Sequence, residues 1–377
     1  MLRQTRRRLL ATGAATLLAA GRPSFAAAAS GLGDIAAGKG LLFGSYARRR
    51  LLLKDNAYVA MMKREIKLAS CFSMQWPLVS PEVGEMRFES GDDEVNWAAD
   101  SGIKCSGGFL IWDKVPKWFG EIQTRAEAVR AVQDHINETC THFGKRVQLW
   151  QVGCEAINPQ DERPDRLERN LLLDKIGTDY LDVAFHAARE AAPHATLLYN
   201  DTHLEYDLPD QQMRREGVLN LLDGLLGRGV PIDAVGMQGH LYTAFNQHFD
   251  ERILENFINE LAARNLKIVI TELDVADKGS PADITLRDAD VAATYKRYLD
   301  VVLANPKVGT LIMWCLSDKD SWIVRGDLRA HVRDDGLTPR PMPFDDKYRP
   351  KPAYDAIAQA LAAAPMRAPG AAALALP

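Results

Sequence analysis

Apolar positions along the chain follow two alternating rhythms. Eight short runs read as buried strands: "LLFGSYA", "LASCFSMQ", "KCSGGFLIW", "VQLWQVGCE", "ATLLYND", "IDAVGMQGH", "KIVITELDV" and "VGTLIMWCL". Between them, segments such as "LLDKIGTDYLDVAFHAAREAA" and "DERILENFINELAARN" repeat apolar residues every three or four positions, the spacing of one helix face. Strand alternating with helix predicts a parallel sheet, because each parallel connection needs a crossover that a helix supplies. Eight such units fit a single (β/α)8 TIM barrel of the α/β class better than an open sheet. No glycine-rich G-x-G-x-x-G follows the first strand, so the fingerprint of a dinucleotide site is missing.

The two ends of the chain depart from this rhythm. "TRRRLLATGAATLLAA" followed by "SFAAAA" reads as a twin-arginine export signal over residues 1–29, with Thr5, Arg6 and Arg7 ahead of the apolar stretch. That stretch is shorter than the roughly 20 residues a membrane-spanning helix needs. The expected location is therefore periplasmic or secreted, with no membrane association of the mature form. The barrel is expected over residues 30–363. The remainder, 364–377, contains the Ala/Pro-rich "APMRAPGAAALALP" and is expected to be a disordered tail.

Composition narrows the partners. At 47% hydrophobic and 25% charged the chain is ordinary for a soluble domain. Its net charge of −4, more negative once a basic leader is removed, speaks against nucleic acid and anionic lipid as partners. The five cysteines, Cys71, Cys105, Cys140, Cys154 and Cys315, are too scattered for a disulfide scaffold and form no CxxC pair. One disulfide after export stays open. No metal and no cofactor is expected, and a monomer is expected.

Two strands end on an acid. "VQLWQVGCE" runs into Glu155 and "KIVITELDV" carries Glu272. A carboxylate at the end of an apolar strand costs too much unless a site uses it. In a barrel the fourth and seventh strands stand on opposite sides of the mouth, so both acids can face one cleft at the carboxyl ends of the strands. Paired carboxylates across a cleft are the equipment of glycoside hydrolysis: one protonates the leaving oxygen, the other attacks the anomeric carbon or activates water. Trp76, Trp112, Trp314 and Trp322 fall at or just after strand ends, where indole faces stack on sugar rings. His240, in "GMQGHL", stands where it can hydrogen-bond a neighbouring carboxylate and hold it ionised.

These segments resemble glycoside hydrolase family 10, the endo-1,4-β-xylanase family, from about Leu32 to Ala363. "WQVGCEAI" is similar to the family's acid/base segment and "ITELDV" to its nucleophile segment, which implies those roles for Glu155 and Glu272 and a support role for Asp274. "IDAVGMQGHL" carries over Gln238 and His240 as supports of the nucleophile. "YNDTH" carries over Asn200, and "MWCLSDKDSW" carries over Trp314, Asp318 and Trp322. The resemblance implies a retaining mechanism on a β-1,4-linked polysaccharide or oligosaccharide.

The departures cluster on the non-reducing side. Cys154 stands where the family has Asn. "CFSMQW" puts Cys71, Phe72 and Gln75 at three polar positions, and "GGFLIWD" puts Gly108 and Asp113 where histidines would stand. A thiol is a poor hydrogen-bond partner beside an amide. The expected substrate is thus either xylan or a modified xylan or exopolysaccharide. Substrate contacts are expected from Trp76, Gln75, Trp112, Asp113, Cys154, Asn200, Trp314 and Trp322. Asp113 reads equally as a sugar ligand or a salt-bridged rim residue. The alternative function is a weak or inactive carbohydrate-binding barrel. A metal-dependent barrel hydrolase is disfavoured, because the first strand has no HxH pair.

Overall fold

The structure, a computed structural model, describes residues 30–372 and 374, so the proposed leader lies outside the described residues. Among the described residues nine strands form: β1 (Leu42–Tyr46), β2 (Leu68–Cys71), β3 (Lys104–Gly107), β4 (Leu149–Cys154), β5 (Thr196–Asp201), β6 (Ala234–Met237), β7 (His240–Tyr242), β8 (Lys267–Ala276) and β9 (Val308–Met313). Every pairing is parallel. The order runs β6-β5-β4-β3-β2-β1-β9-β8, and β6 pairs with β8 to close the ring. The result is the expected (β/α)8 barrel; seven of its strands lie within the apolar runs, and β8 passes the end of its run by one residue, Ala276.

The ninth strand is an extension. Gly239 turns the chain with φ +80°, and β7 then runs beside the far end of β8, setting His240 opposite Asp274. The seventh strand of the ring is therefore β8. Helices cover the outside. Helix Glu251–Ala263 buries Leu254, Phe257, Ile258 and Leu261, the three-four spacing read from the sequence. The segment expected as one helix over 172–192 is two, Leu171–Ile176 and Tyr180–Ala191, parted at Gly177, whose φ of +108° a helix cannot accommodate.

At the amino-terminal end of the barrel, Leu42, Leu68, Leu149, Leu198, Ala234, Val269 and Ile312 form an apolar plug. Ala372 and Leu374 join it from the other end of the chain. Within the segment expected as a disordered tail, Ala364, Arg367, Ala372 and Leu374 are thus buried. Arg367 donates to the carbonyls of Val308 at 3.0 Å and Leu303 at 2.6 Å, and its own N–H donates to Lys39 O at 2.9 Å. A Cβ at Gly309 would meet the backbone of Ala371 at 2.2 Å, so the tail approaches β9 because a glycine stands there. The Ala/Pro composition reads as low complexity, yet small side chains are what fit a closed barrel floor.

Candidate active site

The opposite rim carries the chemistry. Glu155 immediately follows β4 and takes a left-handed φ of +53°, a conformation that costs a non-glycine residue about 1–2 kcal/mol. Hydrogen bonds hold it there: its N–H donates to Asn200 O at 2.9 Å, and the next N–H, of Ala156, donates to the Tyr199 hydroxyl at 3.2 Å. Tyr199 in turn donates to the buried carboxylate of Asp201. Burial pushes Asp201 up to about 6 against the pull of Arg214. The Glu155 carboxyl accepts from Trp112 Nε1 at 3.0 Å on one oxygen and from Gln238 Nε2 at 2.6 Å on the other.

Glu272 lies inside β8 and is 3% exposed. One oxygen accepts from Asn200 Nδ2 at 2.9 Å, and the other lies 3.3 Å from His240 Nε2. The far nitrogen of that ring, Nδ1, is 2.8 Å from Asp274 Oδ1, and Asp274 Oδ2 accepts from Trp322 Nε1 at 2.6 Å. Asn200 is oriented by Thr271, whose hydroxyl donates to its Oδ1 at 2.7 Å. A Cβ at Gly236 would stand 2.4 Å from that same oxygen, so the glycine makes room for the amide.

Charge decides how this cluster behaves. Burial alone would strip the proton from His240, but Asp274 and then Glu272 override it and carry the imidazolium well above its ordinary 6.5. Burial raises Glu272 above 4.5, while His240 pulls the other way and Glu155 adds to the rise. The two glutamates thus feel each other's charge across one cleft. His240 supplies the compensating cation.

The residues singled out in the sequence occupy unequal positions. Asp274 reaches Glu272 through His240. The Gln238 side-chain amide instead donates to Glu155 at 2.6 Å, and its backbone carbonyl accepts from the Glu272 N–H at 2.8 Å. Asn200 is fully buried with both ends of its amide engaged, so it supports Glu272 and does not line the cleft. Trp76 also lies away from the cleft. At 2% exposure it belongs to the main core and stacks on His135, ring centroids 4.8 Å apart. Its short helix begins past the end of β2, which turns the indole outward.

Asp113 pairs with Lys114 at 3.1 Å, and Lys114 lies 4.1 Å over the Trp112 ring. Asp318 binds Lys351 at 2.9 Å and pins the carboxyl-terminal segment. Among the described residues all five cysteines are free, and the Cys71 and Cys105 sulfurs stand 3.1 Å apart on β2 and β3.

Cys154, Phe72 and Phe109 form a separate apolar cluster, with Tyr46, Trp112 and Trp314 against it. Phe72 stands nearly perpendicular to Tyr46, Phe109 and Trp314, at centroid distances of 5.0, 5.0 and 4.8 Å. The sulfur of Cys154 lies 3.8 Å from both Asn200 Nδ2 and Gln238 Nε2. Sequence reasoning missed Tyr46 and Phe109, which carry no motif, and Glu168. Burial pushes Glu168 up to about 7, with Asp113 and then Glu155 adding to the rise. Its N–H bonds Ala156 O at 2.8 Å, a pairing that only the folded loop reveals.

Two carboxylates on facing strands, one rimmed by neutral donors and one braced by an imidazolium, can carry out acid-assisted displacement at a sugar's anomeric carbon. Residues 31–360 match glycosyl hydrolase family 10. The chain belongs to that family. Among family 10 relatives, it is 30% identical over 306 residues to endo-1,4-beta-xylanase B of Thermotoga neapolitana, covering 80% of this chain and 82% of that protein. It is 32% identical over 301 residues to endo-1,4-beta-xylanase A of Cellvibrio japonicus, which is 73% of this chain and 47% of that one. The native xylanase 10B of Thermotoga maritima superposes with a TM-score of 0.78 at 26% identity, over 88% of this chain and 98% of that one. Xylanase 10B of Thermotoga petrophila, solved with xylobiose, gives the same score and identity over 88% and 97%. This family 10 chain is accordingly a glycosidase.

Proposed function

We propose that the protein is an exported, retaining, endo-1,4-β-xylanase-like glycosidase with Glu155 as acid/base and Glu272 as nucleophile. The observation that carries this reading is the unlike surroundings of the two carboxylates. Glu272 sits buried between an amide donor and an imidazolium, which hold a carboxylate oxygen still for in-line attack. Glu155 is more open to the cleft, and its two N–H donors await the negative charge left when it gives up a proton.

The steps balance. Glu272 attacks the anomeric carbon while Glu155 protonates the departing glycosidic oxygen, giving a glycosyl ester and a shortened chain. Glu155, now ionised, takes a proton from water, whose oxygen displaces Glu272 and restores both residues. The relatives' names point to xylan, and the apolar cluster around Phe72 favours a substrate altered on its non-reducing side, such as a modified xylan or an exopolysaccharide. The test is proton NMR of the first product released from β-1,4-xylo-oligosaccharides and from a panel of exopolysaccharides. Release of the β-anomer first, lost in Glu272→Ala, is expected; the α-anomer first would refute retention. Export is tested by a reporter fused to residues 1–29, which should stay in the cytoplasm when Arg6 and Arg7 are changed to Lys.

A further inference from the structure

Trp322 stands half-buried at the mouth, at the start of a four-residue helix, Trp322–Arg325, in the loop after β9. Its Nε1–H donates to Asp274 Oδ2 at 2.6 Å, while Asp274 Oδ1 lies 2.8 Å from His240 Nδ1. A carboxylate is planar, so whatever fixes one of its oxygens fixes the other. The pose of Trp322 therefore sets how Asp274 holds the His240 ring, and so where His240 Nε2 meets Glu272.

A helix this short does not hold an indole by itself, and the ring depends on what packs against it. Among the described residues Trp322 has two ring partners. His240 lies 5.1 Å away between centroids, and His331 meets it nearly perpendicular at 4.4 Å. His331 is 1% exposed and is itself held from two directions. Its backbone ends a single helical turn, Arg329–His331, with the N–H on Leu328 O at 3.1 Å. Its Nε2 shares a hydrogen bond of 2.9 Å with the Tyr242 hydroxyl. Tyr242 ends β7, and its N–H donates to the Tyr206 hydroxyl at 2.7 Å. Arg333, two residues on, anchors the same loop on the carbonyls of Asp277 and Ser280. "LRAHVRDD", the stretch that carries His331, lies outside every segment that resembles the family.

We infer that His331 is a positioning residue for the nucleophile, acting through Trp322 and Asp274 on His240. This rests on the glycosidase reading above and deepens it, because a loop without reacting groups becomes part of what aims Glu272. His240 and Tyr242 share β7, and Trp322 and His331 share the loop after β9. The bond between His331 and Tyr242 thus ties together the two elements that grip Asp274 between them. Burial holds the His331 ring below its ordinary 6.5 against the pull of Asp274 and Asp327, and His240 pushes the same way as burial. Near pH 7 the ring is a neutral wedge, adding no second cation beside the His240 imidazolium.

The first readout needs no substrate. In the proton–nitrogen correlation spectrum of the full chain with labelled tryptophan, the Trp322 indole N–H is the signal lost in Trp322→Phe. It should exchange slowly with solvent, and His331→Ala should speed that exchange about tenfold, the effect of losing one aromatic contact. The second readout is kcat/KM against pH on xylo-oligosaccharides. His331→Ala should lower the plateau about tenfold and move the acid limb to higher pH. A loosened Asp274 holds the imidazolium less firmly, and Glu272, already raised by burial, then takes up its proton at higher pH. His331→Gln, whose amide can reach the Tyr242 hydroxyl, should fall between Ala and the parent in both readouts. Either readout left unmoved in His331→Ala overturns the inference. Should that variant fail to fold, Tyr242→Phe removes only the hydroxyl and should move both readouts the same way by about threefold. No movement there overturns the inference equally. A parent that hydrolyses no β-1,4-glycan while its indole signal responds as expected refutes the glycosidase reading instead.

Discussion

The two halves of the barrel mouth are built from different materials. On the side of β4 through β8, Glu155, Asn200, Gln238, His240, Glu272 and Asp274 form one continuous hydrogen-bonded network, with Trp112 and Trp322 as outer donors. On the side of β1 to β3, Tyr46, Phe72 and Phe109 meet edge to face, with few polar atoms between them. Charge chemistry needs atoms fixed to within tenths of an ångström, and a satisfied polar network provides that. Shape recognition tolerates substitution, since aromatic contacts accommodate many ring faces. Reaction and specificity are therefore separable here, and each half can be perturbed alone.

The largest effect belongs to the polar half. Glu272→Ala removes the proposed nucleophile and should lower kcat by roughly 10⁴-fold or more on any cleaved glycan, read by product release under saturating substrate. His240→Asn comes next, with an expected loss of about 10²–10³-fold in kcat/KM. Its pH signature is the sharper readout. Burial raises Glu272 above 4.5 and His240 opposes that rise. The acid limb, where activity falls as Glu272 takes up a proton, should therefore lie above pH 4.5. Without the imidazolium Glu272 rises further, so the limb should move to higher pH. A limb that stays in place, measured as kcat/KM against pH, would mean that His240 carries no charge the nucleophile feels.

The halves were also unequally legible in the sequence. Strand periodicity located all eight barrel strands, because burial on both faces leaves apolar runs with no helical alternative of that length. Glu155 and Glu272 stood out because a charge in an apolar run has no structural excuse, although Glu272 lies inside β8 and not at the strand end the sequence suggested. Partner choice was less visible. Gln238 follows β6, yet which glutamate its amide reaches depends on the turn at Gly239. Trp76 looked like a rim residue because it follows a strand end, but the chain starts a helix there and buries the ring against His135. Tyr46, Phe109 and Glu168 carry no local signal, since their roles arise from contacts between separate loops. The burial of Ala372 and Leu374 leaves no mark in the tail's composition.

A smaller effect should sharpen the apolar half. Phe72→Asn with Cys154→Asn places amides where the sequence has lost them, close to the donors of Asn200 and Gln238. Each new sugar hydrogen bond contributes about 0.5–1.5 kcal/mol, so kcat/KM on xylo-oligosaccharides should rise about tenfold. The same change removes a phenyl ring from a packed cluster and should lower the unfolding free energy by about 3 kcal/mol in urea titration. Stability lost without any gain on xylan would mean that the aromatic half does not set the sugar preference.

The smallest effect on catalysis should come from the floor that both halves share. Truncation after Gly370 removes Ala372 and Leu374 from the apolar plug while leaving Arg367 on its three carbonyls. Burying one leucine contributes about 1.5–3 kcal/mol, so the truncated chain should unfold a few degrees lower in a thermal melt. The plug lies at the end of the strands opposite Glu155 and Glu272, and no hydrogen bond of their network passes through it. The ratio of kcat/KM between xylo-oligosaccharides and other glycans should consequently stay constant across the truncation. A changed ratio would show that the tail tilts one half of the mouth against the other, and that the separation between reaction and recognition extends only as far as the upper rim.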